Sequence, residues 1–336
     1  MDATYYVAGI DVHKKMLAAV VANVGDRELR FECRRFGTTV SELKNLSAWL
    51  REHTVQEVVM ESTAQYWKPV WLALEGQCQL WLAQARSNRG PRGRKTDFRD
   101  AKCSVSRLLS DDLRLSNVPG AEQRCWRTLT RRKYQLTRDR ARLQSQLEGL
   151  LEECQIKLSS VVSDLLGASG QRILRAIAAG ETDPVQLRAL GDRRLRASDA
   201  PLKDALSGQP QPVHRNLLTL YRQRLDLMET QSAELEKMIA DAMKAQEAAI
   251  VRLSEQPGLG VDSAQQIIAE VGPSAAAFPS AGQLASWGRG LSWERGERWG
   301  VQQQPISEGQ SRYATPAQPT RPRSCAEARL LPANPL

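Results

Sequence analysis

Histidine, paired cysteines and long apolar segments are scarce in this 336-residue chain, and each scarcity excludes a class of protein. The six cysteines are widely scattered without a CxxC pair, which argues against a zinc site or a disulfide framework and fits a reducing cytoplasm. With only three histidines, a metal site would have to be built from carboxylates. No apolar run approaches the roughly 18 residues of a membrane-spanning helix, and no secretion signal is recognisable. We therefore expect a cytoplasmic protein with no membrane partner.

Positive charge is abundant and unevenly distributed. The chain has 47 Lys and Arg against 38 Asp and Glu, a formal net charge of +9. Residues 86–142 hold 17 basic and 6 acidic residues, so the remainder is slightly acidic. Their densest part is interrupted by Gly and Pro, which predicts an exposed loop. The loop is either simply solvated or binds a polyanion such as DNA. The residues that we predict to contact phosphates are Arg86, Arg89, Arg92, Arg94 and Lys95.

About the first 110 residues have the apolar patterns of an α/β domain. Five short apolar or alternating runs predict strands, at 5–11, 16–24, 28–36, 56–60 and 79–83. Helical periodicity predicts three helices, at 39–53, 66–75 and 97–109. Thr39 or Ser41 is a suitable N-cap for the first helix, and Thr96 for the third. This order of elements is typical of a sheet covered by helices.

Two long amphipathic segments follow, at 122–158 and 213–253, and predict an antiparallel coiled-coil arm. The insert between them, residues 161–207, has the pattern of several short helices and ends near Pro210 and Pro212. Because coiled coils commonly join protein chains, we expect a homodimer or tetramer. The predicted apolar positions are Leu136, Leu143, Leu147, Leu150 and Leu151 in the first segment, and Leu217, Leu220, Leu225, Met228, Leu235, Met238, Ile239 and Met243 in the second.

A Pro-Gly-Leu-Gly turn at 257–260 precedes a further helical run that closes at Gly272 and Pro273. This pattern is typical of a helix-hairpin-helix, in which backbone N–H groups approach a phosphate at a helix N-terminus. We therefore predict nucleic-acid contacts at Gly258 and Gly260. An ordinary loop is the alternative.

Four carboxylates stand out by their positions. Asp11 and Glu61 each end a predicted strand, while Asp97 and Asp100 share one face at the start of a predicted helix. Such groups converge at one edge of a sheet, where they would repel one another and raise their pKa values. Bound Mg²⁺, which prefers oxygen ligands, would relieve this repulsion and support phosphodiester cleavage. The structural alternative is that Asp97 and Asp100 are ordinary acidic residues at the start of a helix and that Glu61 is a helix cap.

Three motifs together resemble the DEDD transposases of the IS-110/IS-1111 insertion sequences. They are Gly-Ile-Asp-Val-His-Lys at 9–14, Met-Glu-Ser-Thr at 60–63 and Lys-Thr-Asp-Phe-Arg-Asp-Ala at 95–101. The turn at 257–260, with Phe278 and Leu-Ala-Ser-Trp at 284–287, resembles the start of that family's C-terminal domain.

The resemblance implies an RNase H-like, RuvC-type N-terminal domain. In it, Asp11, Glu61, Asp97 and Asp100 would hold magnesium as the catalytic ligands. A coiled-coil dimerisation arm and DNA recombination are also implied. A structured guide RNA that pairs with target and donor DNA is a further implied partner, so that base pairing rather than the protein would read the sequence.

The chain departs from the family pattern after residue 288. The family carries a nucleophilic serine in a Ser-Ala-Gly or Ser-Gly-Gly context that links covalently to DNA. In the family this context comes shortly after the Leu-Ala-Ser-Trp region; neither form of it is present after residue 287 here, and Ser292 and Ser307 lack the motif. Residues 289–336 instead have the composition of a disordered tail. We hypothesise a frameshift, because the Trp293 and Trp299 codons followed by G give glycine when read one nucleotide later. Sequencing from codon 280 onward tests this hypothesis.

These patterns predict a catalytic domain at 1–115, a coiled-coil arm with a helical insert at 116–254, the start of a mostly helical C-terminal domain at 255–288 and an aberrant tail at 289–336. The predicted function is a magnesium-dependent DNA transposase or recombinase that moves an insertion sequence, with its activity compromised by the missing serine motif. A RuvC-like nuclease of branched DNA and a catalytically dead nucleic-acid-binding remnant are the alternatives.

Overall fold

The computed structural model describes residues 5–25, 29–62, 64–84, 97–162, 164–192 and 199–275, together with 278, 280–282 and 284. The predicted basic loop, the Thr96 cap and the predicted tail lie outside these residues. The described chain forms two compact units, one up to Pro119 with the few residues from Ala275 onward, the other Gly120–Ser274. The domain boundaries predicted at residues 115, 254 and 288 stay predictions.

A six-stranded mixed sheet is the centre of the first unit. The strand order is β3-β2-β1-β4-β5-β6, in which β1, β4 and β5 are parallel and the other neighbours antiparallel. The five predicted strands are confirmed, whereas the last strand was not predicted because two residues are too few to show a periodic pattern. The strands are β1 (Tyr6–Val12), β2 (Met16–Asn23), β3 (Phe31–Gly37), β4 (Val55–Ser62), β5 (Gln79–Ala83) and β6 (Leu115–Ser116).

Helices cover both faces of this sheet. The helices α1 (Val40–Glu52) and α2 (Trp67–Leu74) pack on one face, and α3 (Asp97–Leu109) packs on the other. Successive residues of a strand point to opposite faces. Ile10 accordingly contributes to the core under α1 and α2, while Val7 contributes to the core under α3. Burial on both faces explains why β1 and β2 are nearly continuous apolar runs.

Gly9 allows α3 to approach β1 closely. A Cβ atom at this position would lie 2.7 Å from Cγ2 of Val105 and closer still to the carbonyl oxygen of Ala101. Only glycine leaves room for such an approach. Ala101 and Ser104 are buried on the face of α3 that meets the sheet, and Asp97 and Asp100 lie one turn before them. The contact at Gly9 therefore brings both carboxylates toward the sheet.

The second unit contains the remaining helices. Its elements are α4 (Ala121–Glu153), α5 (Leu158–Val161), α6 (Ala168–Ala179), α7 (Pro184–Ala189), α8 (Asp199–Ala205), α9 (Pro212–Ala242), a 3₁₀ turn (Lys244–Gln246), α10 (Glu247–Ser254) and α11 (Val261–Val271). None of the described helices is both long enough and apolar enough to cross a membrane.

The two long helices α4 and α9 lie antiparallel. Near the start of α4, Trp126 Nε1 donates a hydrogen bond to the carbonyl oxygen of Ala242 at the end of α9, at 2.9 Å. Two turns further along α4, Lys133 Nζ lies 3.0 Å from Oε1 of Glu236, which is earlier in α9. An antiparallel pair with short helices between its members is therefore present. Its classification as a coiled-coil arm and its role in dimerisation stay predictions.

Four of the five apolar positions predicted in the first long segment are buried in α4, and Leu136 is partly buried, whereas fewer of those predicted in α9 are buried. Leu143, Leu147, Leu150 and Leu151 are buried. In α9, Leu225, Met228 and Ile239 are also buried. The prediction was wrong for Leu220 and Met238, which are 58% and 51% exposed. They lie outside the narrow stripe of α9 that the other described helices cover.

The second long helix also ends earlier than predicted, at Ala242 instead of about residue 253. The chain continues through the 3₁₀ turn into α10. Met243 and Ile250 are buried in one cluster with Trp126 and Ile268. The sequence pattern of α9 continues past Ala242, but packing around the Trp126 ring ends the helix there. Tertiary contacts here override the local helix propensity.

Candidate metal centre

One row of residues crosses the α3 face of the sheet at the level of Asp11. The strand register pairs Asp11 with Glu61 of β4 and with Ala18 of β2, and pairs Ala18 with Arg35 of β3. Directly paired residues lie on the same face of a sheet. The sheet therefore places Asp11 and Glu61 side by side, and the small side chain of Ala18 lies between Asp11 and Arg35.

The first turn of α3 adds Asp97 and Asp100 to this row. Burial raises the pKa of Asp11 above its ordinary value. His13 opposes that rise, while the negative charges of Asp100 and Asp97 add to it. Asp97 shares the His13 nitrogen with Asp11, whose side chain is only 15% exposed. Three carboxylates from two elements thus repel one another in a partly desolvated place.

Two basic side chains face these carboxylates. Nε2 of His13 lies 3.0 Å from Oδ2 of Asp11 and 3.5 Å from Oδ1 of Asp97. A guanidinium nitrogen of Arg35 lies 3.7 Å from Oδ2 of Asp97, and the same guanidinium lies over the ring of Phe98 at 5.3 Å. The Arg35 guanidinium partly balances the negative charge, and both side chains connect the first turn of α3 to the sheet.

Sequence reasoning missed both bases. His13 stands in the first motif, two residues after a strand-end carboxylate, and this proximity was the available signal. Arg35 has no local signal, because its place beside Asp97 results from the register of two antiparallel strand pairs.

The residues present fit a divalent cation. Asp11, His13 and Asp97 offer ligand atoms that all lie within 4.8 Å of one another. Carboxylate oxygens are the ligands that Mg²⁺ prefers, and a cation would relieve the repulsion that acts on Asp11. Glu61 is paired with Asp11 by the strand register, and the ligand roles predicted for Glu61 and Asp100 stay predictions.

Glu57, a further carboxylate on the same face of β4, has a different role. It is buried and accepts a hydrogen bond from Trp81 Nε1 at 2.8 Å and another from the Tyr5 hydroxyl. A buried carboxylate with such donors is satisfied structurally. It belongs to the core under α3, four residues before Glu61.

The remaining predicted site residues belong to the second unit or lie outside the described residues. Arg86, Arg89, Arg92, Arg94 and Lys95 lie outside the described residues, and their phosphate contacts stay predictions. In the second unit, a turn joins α10 to α11 at the predicted place, and its classification as a helix-hairpin-helix stays a prediction. Gly258 has φ +85°, a conformation that glycine adopts readily, and Gly260 is the N-cap of α11. Phosphate binding at these two glycines also stays a prediction.

Comparison with known proteins identifies the family of the N-terminal part. The family model of the IS-110 DEDD transposases, described as "Transposase", matches residues 8–156. The resemblance to the IS-110 DEDD transposases that the motifs indicate is thereby confirmed over residues 8–156. The transposase match contains all four predicted carboxylates and extends through α4. No curated protein sequence matches the chain.

Solved structures similar to this chain include RuvC from Thermus thermophilus. RuvC in complex with a Holliday junction substrate is 13% identical and covers 33% of this chain and 99% of that chain, with a TM-score of 0.25. RuvC alone is 14% identical with the same coverage and a TM-score of 0.24. A Ppx/GppA family member from Aquifex aeolicus is 11% identical and covers 71% of this chain and 99% of that chain, with a TM-score of 0.21. The α/β assignment rests on the mixed sheet and its two helical layers.

Proposed function

We propose that this chain is a DNA transposase whose N-terminal unit cleaves phosphodiester bonds with magnesium held by Asp11, Glu61, Asp97 and Asp100. The observation that carries the proposal is the register pairing of Asp11 with Glu61 on the sheet face covered by α3, whose first turn places Asp97 on the same His13 nitrogen as Asp11. The transposase family match over residues 8–156 supports the same chemistry.

Two of these carboxylates, Asp11 and Asp97, are held in place by contacts within the fold. Asp11 is held by backbone pairing on both sides of β1. Asp97 is held by its ion pair with Arg35 and by the close packing of α3 at Gly9. Preorganised ligands of this kind avoid a reorganisation cost during the reaction. Bound magnesium would supply stabilisation of the charge that develops on the phosphate oxygens.

DNA is the proposed substrate, and a structured guide RNA is a further proposed partner. The surplus of basic residues over acidic ones at 86–142 favours a nucleic acid through phosphate contacts and counterion release. The guide RNA follows from the family resemblance alone. We propose that the basic residues at 86–95 contact the phosphate backbone, whereas base pairing supplies sequence recognition.

The missing serine motif limits the proposed activity. We propose that this copy retains the carboxylate site but lacks serine-dependent strand exchange. The experiment incubates the full chain with a four-way DNA junction, with and without Mg²⁺, and measures both cleavage and strand exchange. The matched variant is Asp11→Asn, which keeps the size of the side chain and removes its charge.

We expect magnesium-dependent cleavage by the parent chain, no cleavage by Asp11→Asn and no strand exchange by either. Cleavage that survives in Asp11→Asn would overturn the assigned site. Failure of the parent chain to cleave would favour the nucleic-acid-binding remnant. Strand exchange by the parent chain would show that a nucleophile is present despite the missing motif.

A further inference from the structure

His13 places a nitrogen atom between two carboxylates that come from different elements. Its Nε2 lies 3.0 Å from Asp11 of β1 and 3.5 Å from Asp97 of α3. The side chain is 48% exposed, so an ion can reach it from solvent. A nitrogen donor is unexpected in a site composed otherwise of carboxylates.

The position of His13 follows from the backbone. Its N–H donates to the carbonyl oxygen of Met16 at 3.0 Å, closing the tight turn between β1 and β2. The hydroxyl of Thr38 donates to the carbonyl oxygen of Lys14 at 3.1 Å, which ties the same turn to the segment before α1. The imidazole therefore belongs to a turn that these two hydrogen bonds hold in place, two residues after Asp11.

We propose that His13 is a direct ligand of the divalent metal, together with Asp11 and Asp97. The proposal rests on the metal-dependent function proposed above. Adjacent ligands of an octahedral ion with bonds near 2.1 Å are about 3 Å apart. The His13 nitrogen lies at comparable distances from one oxygen of each carboxylate. A bound ion would replace the direct contacts of His13 with the two carboxylates.

A nitrogen ligand changes which metal the site prefers. Imidazole suits first-row transition metals, whereas magnesium is typically bound by oxygen. We therefore infer that the site binds Mn²⁺ more tightly than Mg²⁺, and that His13 is the residue that sets this preference. Removal of the imidazole should weaken Mn²⁺ binding more than Mg²⁺ binding.

The test uses Mn²⁺ itself as the probe and the full chain as the protein. Calorimetric titration measures the affinity for Mn²⁺ and Mg²⁺, and pulsed electron paramagnetic resonance of bound Mn²⁺ detects a directly coordinated nitrogen. The variants are His13→Ala, Asp11→Asn and, as a matched loss of an imidazole, His53→Ala. His53 follows α1, where it packs against Trp49. Circular dichroism checks that each variant is folded.

We expect the parent chain and His53→Ala to bind Mn²⁺ with a nitrogen coupling. In His13→Ala the coupling should disappear and the Mn²⁺ affinity should fall by about tenfold or more. If the parent chain bound Mn²⁺ without a nitrogen coupling, and Asp11→Asn abolished that binding, His13 would not be a ligand. The proposed carboxylate site would still hold in that case. A parent chain that binds neither ion would overturn both proposals.

Discussion

Replacing Gly9 with alanine should separate the two elements that build the carboxylate cluster. The added Cβ atom would lie 2.7 Å from Val105 Cγ2, whereas ordinary contact begins at 3.4 Å, and the Ala101 carbonyl oxygen would be closer than Val105. The shortfall at Val105 is about 0.7 Å, which is the least displacement needed. Because the carbonyl oxygen belongs to the backbone of α3, the whole helix must move away and not only a side chain. Asp97 and Asp100 would move with it, while Asp11 stays on the strand.

The expected magnitude follows from this displacement. Overpacking of a tight contact costs about 1–3 kcal/mol, of which the lower chain entropy of alanine in the unfolded state offsets about 0.4–1 kcal/mol. We therefore expect a free energy of unfolding lower by about 1–2 kcal/mol. A misplacement approaching 1 Å can cost about 100-fold in rate, so DNA cleavage should fall by that order.

The matched control is Gly149→Ala in the interior of α4. A Cβ atom there would meet nothing within 4 Å, so alanine should raise helix stability by about 0.5–1 kcal/mol. Urea denaturation measures both stabilities, and Mn²⁺ titration and junction cleavage measure the site. If Gly9→Ala kept the parent's stability, metal affinity and cleavage rate, the close packing of α3 on β1 would not be what positions the carboxylates.

Three further outcomes are expected. Asp11→Asn should raise the melting temperature of the metal-free protein at neutral pH, because burial raises the Asp11 pKa and its ionisation then costs folded stability. The gain in melting temperature should vanish as the pH falls below 3.8, the ordinary pKa of an Asp carboxyl. If thermal melts showed the same gain at every pH, the ionisation of Asp11 would not be its cause. Glu270→Gln should destabilise the second unit by about 3 kcal/mol, because it leaves the largely buried guanidinium of Arg127 without its charged partner. A loss of less than about 1 kcal/mol, measured by urea denaturation, would argue against this role of Glu270. Burial raises the pKa of the Cys78 thiol to about 11, so iodoacetamide at pH 8 should label the exposed Cys33 far faster than Cys78. Equal labelling rates of the two cysteines, measured by mass spectrometry, would refute this prediction.

Local patterns were sufficient for most elements of the first unit. The strands β1 and β2 are buried on both faces, so their apolar runs are long and easily recognised. Thr39 was also a readable start for α1, because its side chain accepts a hydrogen bond from the backbone of Glu42.

Local patterns were insufficient where packing decides. The helical pattern after α9 is continuous, but Met243 and Ile250 are drawn into the cluster around Trp126 and the helix ends. Leu220 matched the apolar spacing and is exposed, because spacing does not reveal how wide a stripe the neighbouring helices cover. No local signal announced β6, a two-residue strand that pairs with β5.

For the candidate site, the sequence by itself determined which carboxylates to consider and which transposase family to compare. Strand-end carboxylates on parallel neighbours meet at one edge, so the adjacency of Asp11 and Glu61 could be expected from the strand pattern. Only the tertiary structure decided that His13 and Arg35 face Asp97. Their distances depend on a tight turn, on two antiparallel registers and on the approach of α3 at Gly9, and no local sequence pattern specifies how such separate elements pack together.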